Sequence, residues 1–167
     1  MTESVLFYMF AIVALASAVS VIVQRNPIAS ALSLVVCFFA LAAEYVLLDA
    51  HFVAVVQVLV YAGAIMVLFI FVIMLLNIRE SGPTVIGELS NRGIFGVLVC
   101  GVLGVGALAA LDGMVHAPMA TLPDDFGTIA AIGRALFSGP YLLPFEAVSL
   151  LLTVGMVGAV VLAKREL

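Results

Sequence analysis

Residues 52–76 read FVAVVQVLVYAGAIMVLFIFVIMLL, and this uncharged stretch decides the fold class. It contains 17 Leu, Ile, Val or Phe residues, so its single amide, Gln57, is easily tolerated in a membrane-inserted segment. As a straight α-helix the stretch would reach about 37 Å, whereas the hydrocarbon core of a bilayer is about 30 Å thick. The sequence therefore predicts a membrane-spanning helix that is tilted or locally irregular.

The composition of the whole chain indicates an integral membrane protein. Of 167 residues, 66% are hydrophobic and 10% are charged, whereas soluble domains are about half apolar and about a quarter charged. The net charge of −4 leaves no basic surface for nucleic acid. Cys37 and Cys100 lie in separate apolar runs, and no phosphate loop or catalytic Ser/His/Asp arrangement is present. We expect no catalytic residue, no metal and no cofactor on this chain.

The other long uncharged runs are also continuously apolar over helix length. A transmembrane β-barrel would instead show short segments that alternate polar and apolar residues. The sequence therefore predicts an all-α fold in a single membrane domain, 1–167, with five transmembrane helices. These helices are expected at about 4–23, 28–48, 52–76, 93–111 and 145–163, with an external loop at about 112–144.

Turn residues between the runs predict helical hairpins. Asn26 is suited to cap the second helix and Pro27 to be its first residue. Asp49 is expected to cap the third helix across a tight turn. Inside the long loop, residues 128–137 predict a short helix at the membrane surface that ends before Gly139-Pro140.

The distribution of Lys and Arg predicts the orientation of the chain. One side of the membrane receives five of these residues and the other receives only Arg134. Because positive residues are enriched in cytoplasmic loops, we expect the N-terminus outside and the C-terminus in the cytoplasm. The short loops suit a multi-pass protein of a bacterial inner membrane. The five residues on the cytoplasmic side are Arg25, Arg79, Arg92, Lys164 and Arg165.

Two features inside the spans are candidates for function. Tyr61-Ala62-Gly63-Ala64 fits either close helix packing or a local change of helical winding. Glu44 is the only acid well inside an expected span, and it is either a functional group or a structural carboxyl near the interface. Positions 44 and 57 lie symmetrically about the turn, so we expect their side chains within hydrogen-bond or single-water distance. Gln57 and Tyr61 are four residues apart and are expected on one helix face.

Other polar and small residues in the spans have structural interpretations. Ser149 and Thr153 are expected to hydrogen-bond to carbonyls of their own helix. Glu146 is expected to be an interfacial charge rather than a proton carrier. The fourth span carries a ridge of small residues that favours close helix packing, namely Gly96, Cys100 and Gly104.

The run VYAGAIMVLF at residues 60–69 closely resembles the third helix of subunit J of proton-translocating NADH-quinone oxidoreductase, respiratory complex I. Asn26-Pro27 after the first helix is a supporting match. So is Leu143-Pro144-Phe145-Glu146, followed by Ser149-Leu150-Leu151-Leu152, at the last helix. The resemblance covers the first half and the last quarter of the chain. Residues 78–142 match only in general layout.

The resemblance implies a membrane-arm subunit that helps couple quinone reduction to proton translocation without carrying a redox centre. It implies subunits A, H, K and N as neighbours in the lipid bilayer, and quinone, FMN and iron–sulfur clusters on partner subunits. It also implies a π-bulge in the third helix whose conversion to α-helix opens or closes a water path for protons. Carried over, Tyr61 and Gly63 form the switch, with Val67 and Phe69 on the adjoining turns.

Gln57 departs from the pattern of the resembling family, because some of its members have Glu at this position. The resemblance therefore does not extend a proton-carrying role to Gln57, and we expect Glu44 to supply the missing acid nearby. Two other classes remain open. One is a subunit of a related multisubunit cation/proton antiporter or membrane-bound hydrogenase. The other is a purely structural membrane scaffold, which the Gly-rich fourth span favours.

Overall fold

A computed structural model describes residues 2–76, 96, 98–106, 109 and 125–164, and this part of the chain is helical apart from short turns. The third membrane helix is continuous but has three parts, because a π-helical segment interrupts its α-helical winding. The elements are α1 (Thr2–Val23), α2 (Pro27–Leu47), α3 (His51–Val56), the π segment (Gln57–Ile65), α4 (Met66–Leu76), α5 (Ile129–Phe137), a 3₁₀ turn (Gly139–Tyr141) and α6 (Leu142–Ala163).

Four helices of the described part are long and apolar enough to cross a membrane, which agrees with an all-α integral membrane protein. The expected fourth span, 93–111, lies partly outside the described residues. Within this span, residues 98–106 are described and are helical. The last helix begins at Leu142 instead of about 145, because Pro144 is tolerated in the first turn of a helix. The four candidate spans are Thr2–Val23, Pro27–Leu47, His51–Leu76 and Gly139–Ala163.

The turn between α1 and α2 is built as the sequence predicts. The Asn26 side chain accepts hydrogen bonds from the backbone N–H groups of Ile28 at 2.9 Å and Ala29 at 3.3 Å. Pro27 is the first residue of α2, where its missing N–H costs nothing. The predicted N-cap is therefore confirmed.

Small side chains and hydroxyl groups hold α1 against α2. Ala14 packs against Cys37 and Ala40, and all three are buried. The Ser30 hydroxyl donates to the Val21 carbonyl at 2.6 Å, so a polar contact crosses the interface. The Ser20 and Ser33 hydroxyls also bond across it at 3.0 Å, and the Cys37 thiol contacts the Ala14 carbonyl at 3.5 Å.

The other side of α2 packs against the third membrane helix. A buried cluster joins Ala31 of α2 to Met66 and Ile73 of α4. Phe38 of α2 meets Tyr61 of the π segment edge to face, with ring centroids 5.8 Å apart. Helix α2 is therefore the central helix of the bundle formed by residues 2–76.

The turn between α2 and α3 corrects the expected role of Asp49. Asp49 has a φ of 56° and follows the C-cap Leu48, so it occupies the left-handed position that ends α2. Its N–H donates to Val46 O at 3.1 Å, and the N–H of Ala50 donates to Tyr45 O at 2.9 Å. These two bonds form a Schellman motif. Ala50 is the N-cap of α3 and makes no side-chain cap bond, so the prediction that Asp49 caps α3 is wrong.

The short helix predicted at residues 128–137 is present as α5, and its place at the membrane surface stays a prediction. Thr128 is its N-cap, and the Thr128 hydroxyl oxygen accepts a hydrogen bond from the Ala131 N–H at 3.3 Å. The same hydroxyl donates to the Asp125 carbonyl at 2.8 Å, while Arg134 forms an ion pair with the Asp125 carboxylate. These contacts order the turn that precedes α5.

Helix α6 contacts α5 and the 3₁₀ turn but none of α1 to α4 among the described elements. Ser149 donates to Glu146 O at 2.8 Å, and Thr153 donates to Ser149 O at 2.9 Å. Both residues are bonded to their own helix, as predicted. Glu146 lies on the exposed surface of α6, so the expected interfacial charge stays a prediction.

Candidate functional site in the third helix

The π segment is the most unusual backbone feature of the described chain. It covers Gln57–Ile65, and at its end the Met66 N–H donates to the carbonyl of Tyr61, five residues earlier. An α-helix would bond this N–H to the carbonyl four residues earlier. The segment contains both Tyr61 and Gly63, so non-α winding occurs where the sequence analysis places it. Such segments are rare and are often found at functional sites.

The π winding changes which residues face α2. Gln57 is 8% exposed and Ala62 is 4% exposed, whereas Tyr61 is 46% exposed. The buried positions are thus five residues apart across the wide turn instead of four. Tyr61 also reaches α2 through its ring contact with Phe38, and a shared face of Gln57 and Tyr61 stays a prediction.

Gly63 has a geometric role in the wide turn. A Cβ atom built at Gly63 would lie 3.1 Å from the backbone oxygen of Val58, five residues earlier. That distance is tighter than ordinary van der Waals contact, so a larger residue would push against the turn. The absence of a side chain at Gly63 therefore favours the π winding.

Val67 and Phe69 lie on the first turns of α4, directly after the π segment, and both are about half exposed. Their neighbours Met66 and Ile70 instead pack against α2. The structure thus brings Gln57, Tyr61 and Gly63 together within the π segment. Val67 and Phe69 lie in α4, after the π segment, so the winding of that segment determines the direction in which they face.

Glu44 lies on the wrong side of α2 to pair with Gln57. It follows Cys37 by seven residues and Ala40 by four, so it continues the ridge that packs against α1. Ala42, which lines the groove between α2 and the third helix, is two residues away and therefore points about 160° from Glu44. Within residues 2–76 no hydrogen bond joins Glu44 to Gln57. The expected direct hydrogen bond is therefore absent, because equal depth along a hairpin does not fix helix rotation, and a contact through a single water molecule stays a prediction.

An open apolar groove of about 440 Å³ lies between α2 and the start of the third helix. His51 stands at its wall, 4.0 Å from the Asp49 carboxylate. Among the described residues no group of three or more His, Cys, Asp or Glu side chains is placed to hold a metal. The groove is lined by Phe39, Ala42, Val46, His51, Ala54, Val55, Val58 and Leu59.

Comparison with known proteins identifies the family. Residues 17–162 match the family described as NADH-ubiquinone/plastoquinone oxidoreductase chain 6. The chain belongs to this family. The match includes α2, the whole third helix and nearly all of α6, so it covers the π segment and every candidate residue discussed above.

Several relatives support membership of the chain 6 family over nearly the full length. NAD(P)H-quinone oxidoreductase chain 6 of Synechocystis is 40% identical over 165 residues, which are 96% of this chain and 80% of the relative. NADH-quinone oxidoreductase subunit J of Rhodobacter capsulatus is 34% identical over 167 residues, 96% of this chain and 81% of the relative. F420H2 dehydrogenase subunit J of Methanosarcina mazei is 34% identical, covering 98% of this chain and 92% of the relative.

Proposed function

We propose that this chain is a membrane-arm subunit of a complex I-type NADH-quinone oxidoreductase, in which it helps couple quinone reduction to proton translocation. The family match and the names of the relatives support the assignment to such a complex. The observation that carries the coupling role is the π segment Gln57–Ile65 inside a membrane-spanning helix.

The proposal places all redox centres on other subunits. FMN, iron–sulfur clusters and the quinone site belong to partners, and the chain lies in the bilayer beside subunits A, H, K and N. The relatives carry the donor names NAD(P)H, NADH and F420H2 at comparable identity. That range of donors supports a chain that takes no part in binding the donor. The proposed location is the inner membrane, with the N-terminus outside and the C-terminus in the cytoplasm.

The proposed mechanism is a change of winding in the third helix. Suppose that the π segment became α-helical while α3 stayed in place. Each later residue would then take the position around the helix axis that the following residue holds now. One residue corresponds to a rotation of about 100°. The residues that face α2 would then change from Ala62, Met66 and Ile70 to Tyr61, Ile65 and Phe69.

Exchange of Ala62 for Tyr61 alters both the shape and the polarity of the interface. Ala62 fits a nearly closed site, whereas the Tyr61 ring now meets Phe38 only from the edge and is half exposed. After the change, the Tyr61 ring and its hydroxyl group would be buried between α2 and the third helix. A buried hydroxyl group needs a hydrogen-bond partner, and a water molecule supplies one. We propose that hydration beside Tyr61 and Gln57 forms part of the proton path, with Phe69 and Val67 rotating together with α4.

Substitution of Gly63 tests this mechanism. Because a Cβ atom crowds Val58 O, Gly63→Ala and Gly63→Val should disfavour the π form and shift the helix toward α. Ala is also about 1 kcal/mol more favourable than Gly in an α-helix, which is about a fivefold shift. We expect fewer protons translocated per electron in the assembled complex, with Gly63→Val more severe. The measurement is proton uptake against quinone reduction in native-membrane vesicles.

Gly158→Ala is the matched control, since it fills a glycine of a membrane helix where the structure has open space. This variant should keep the proton-to-electron ratio of the unaltered complex. A normal ratio in both Gly63 variants, in complexes assembled to normal levels, would reject the switching role and leave Tyr61-Gly63 as a packing motif.

A further inference from the structure

The first turn of the third helix, which precedes the π segment, is held by a contact from the turn before α5. The N–H of Phe52, in the first turn of α3, donates to the backbone oxygen of Gly127 at 3.3 Å. The first N–H groups of a helix lack partners within it, and the N-cap Ala50 provides no side-chain bond. The carbonyl of Gly127 therefore caps α3, which is the role that the sequence predicts for Asp49.

The contact requires glycine at position 127 for two reasons. Gly127 has a φ of +71°, a conformation that side chains rarely adopt. A Cβ at this position would overlap the Asp49 carbonyl oxygen and lie 3.0 Å from the Asp49 carbonyl carbon and 3.3 Å from the Ala50 Cα. The turn before α5 thus lies directly on the turn between α2 and α3.

The turn that presents Gly127 is itself ordered by local bonds. Thr128 bonds to Asp125 through both its N–H and its hydroxyl group, and Arg134 pairs with the Asp125 carboxylate. The left-handed Asp49 fixes the receiving side through its Schellman motif. Two ordered turns therefore meet at the first turn of α3, immediately before the π segment.

We propose that Gly127 is a positioning residue that clamps the start of the third helix, so that rewinding of the π segment rotates α4 and not α3. This inference rests on the proposed switching role of the π segment. A change of winding rotates the two ends of a helix relative to each other, and only a fixed end makes the other end move. The clamp thereby directs the whole rotation toward Phe69 and the rest of α4.

The test is Gly127→Ala in the whole membrane complex, with Gly139→Ala as the matched control. Gly139 also has a positive φ, +85°, but nothing lies within 4 Å of a Cβ built there. Both variants strain a left-handed backbone, and only Gly127→Ala pushes the two turns apart. Two quantities are measured: hydrogen exchange of the amides of residues 52–54, and protons translocated per electron at equal complex content.

We expect Gly127→Ala to speed exchange of these amides about fivefold, because a helix cap is lost. We also expect it to lower the proton-to-electron ratio by about half, since part of the rotation then goes into α3. Gly139→Ala should change neither quantity. If the two variants behave alike, the effect comes from backbone strain and the clamp is wrong.

Gly63→Val separates this inference from the proposed function. A normal ratio in Gly127→Ala together with a lowered ratio in Gly63→Val would overturn the clamp and leave the switch intact. Normal ratios in both would overturn both. If Gly127→Ala blocks assembly, Thr128→Val replaces it, because it loosens the turn without a clash. That variant should change both quantities in the same direction by a smaller factor, and no change in either would overturn the clamp.

Discussion

The two faces of α2 are built from different contacts. Toward α1, hydroxyl and thiol groups bond across the interface, as in Ser30 to Val21 O and Ser20 to Ser33. Toward the third helix the contacts are apolar, and within residues 2–76 no side-chain hydrogen bond joins the two. A rotation on the first face would leave polar groups unpaired in the membrane, whereas a rotation on the second exchanges one apolar contact for another. The π segment lies on the face that can change register.

Locking the apolar face should have the largest effect on function. Ala31 packs with Met66 in the π register, and the proposed α register brings Ile65 to the same place. We would place cysteine pairs at 31 and 66, or at 31 and 65, in a chain with Cys37→Ala and Cys100→Ala. The 31–66 pair should cross-link in the resting complex and abolish proton translocation until a reductant is added.

The 31–65 pair distinguishes a moving interface from a fixed one. It should cross-link only during turnover, when the third helix visits the α register. The yield of cross-linked chain on a gel, with and without substrate, measures both pairs. A 31–65 pair that never reacts while 31–66 reacts fully would show two faces of α2 that are equally immobile.

Damage to the hydrogen-bonded face should lower abundance without altering coupling. Ala14→Leu forces extra volume between α1 and α2, where Ala14 is buried against Cys37. Overpacking of this kind costs about 1–3 kcal/mol. We expect severalfold less assembled complex with an unchanged proton-to-electron ratio, measured on native gels and in vesicles. Ala16→Leu, on the exposed face of α1, is the control and should assemble normally. A lowered ratio in Ala14→Leu would contradict the division of roles.

Separation of Glu44 from Gln57 should give the smallest effect. Glu44 lies on the face of α2 toward α1, whereas Gln57 lies in the π segment on the other side of α2. The effects of Glu44→Gln and Gln57→Leu should therefore add within about 0.5 kcal/mol. The free energies come from rates of quinone-coupled proton uptake in the single and double variants. A larger interaction energy would mean that the two faces communicate through this pair.

The features that depend on local chemistry were predictable from the sequence. Asn26-Pro27 fixes the start of α2, Thr128 begins α5, and the uncharged runs give the described spans. These features follow from groups within a few residues of one another. The resemblance also placed irregular winding at Tyr61-Gly63, which agrees with the π segment.

The features that failed depend on helix rotation and on distant contacts. Glu44 and Gln57 share a depth in the hairpin, yet depth says nothing about which side of α2 a residue takes. A pattern that assumes α-helical winding throughout does not identify Gln57 and Ala62, five residues apart, as the buried positions. The capping of α3 depends on Gly127, which is more than seventy residues away along the chain. No pattern in the sequence around α3 predicts this contact.

The π segment can also be described as a matter of chain length. A helix with one residue too many between two fixed contacts stores the surplus as a wide turn. Deletion of one residue between Val58 and Ala64 would let the helix wind regularly and keep the α2-facing residues on both sides where they are now. The shortened chain would pack as well as the present one, with no surplus residue left to pass from one register to the other. The property of the third helix that permits two registers is therefore its one extra residue, and not the chemistry of any one side chain.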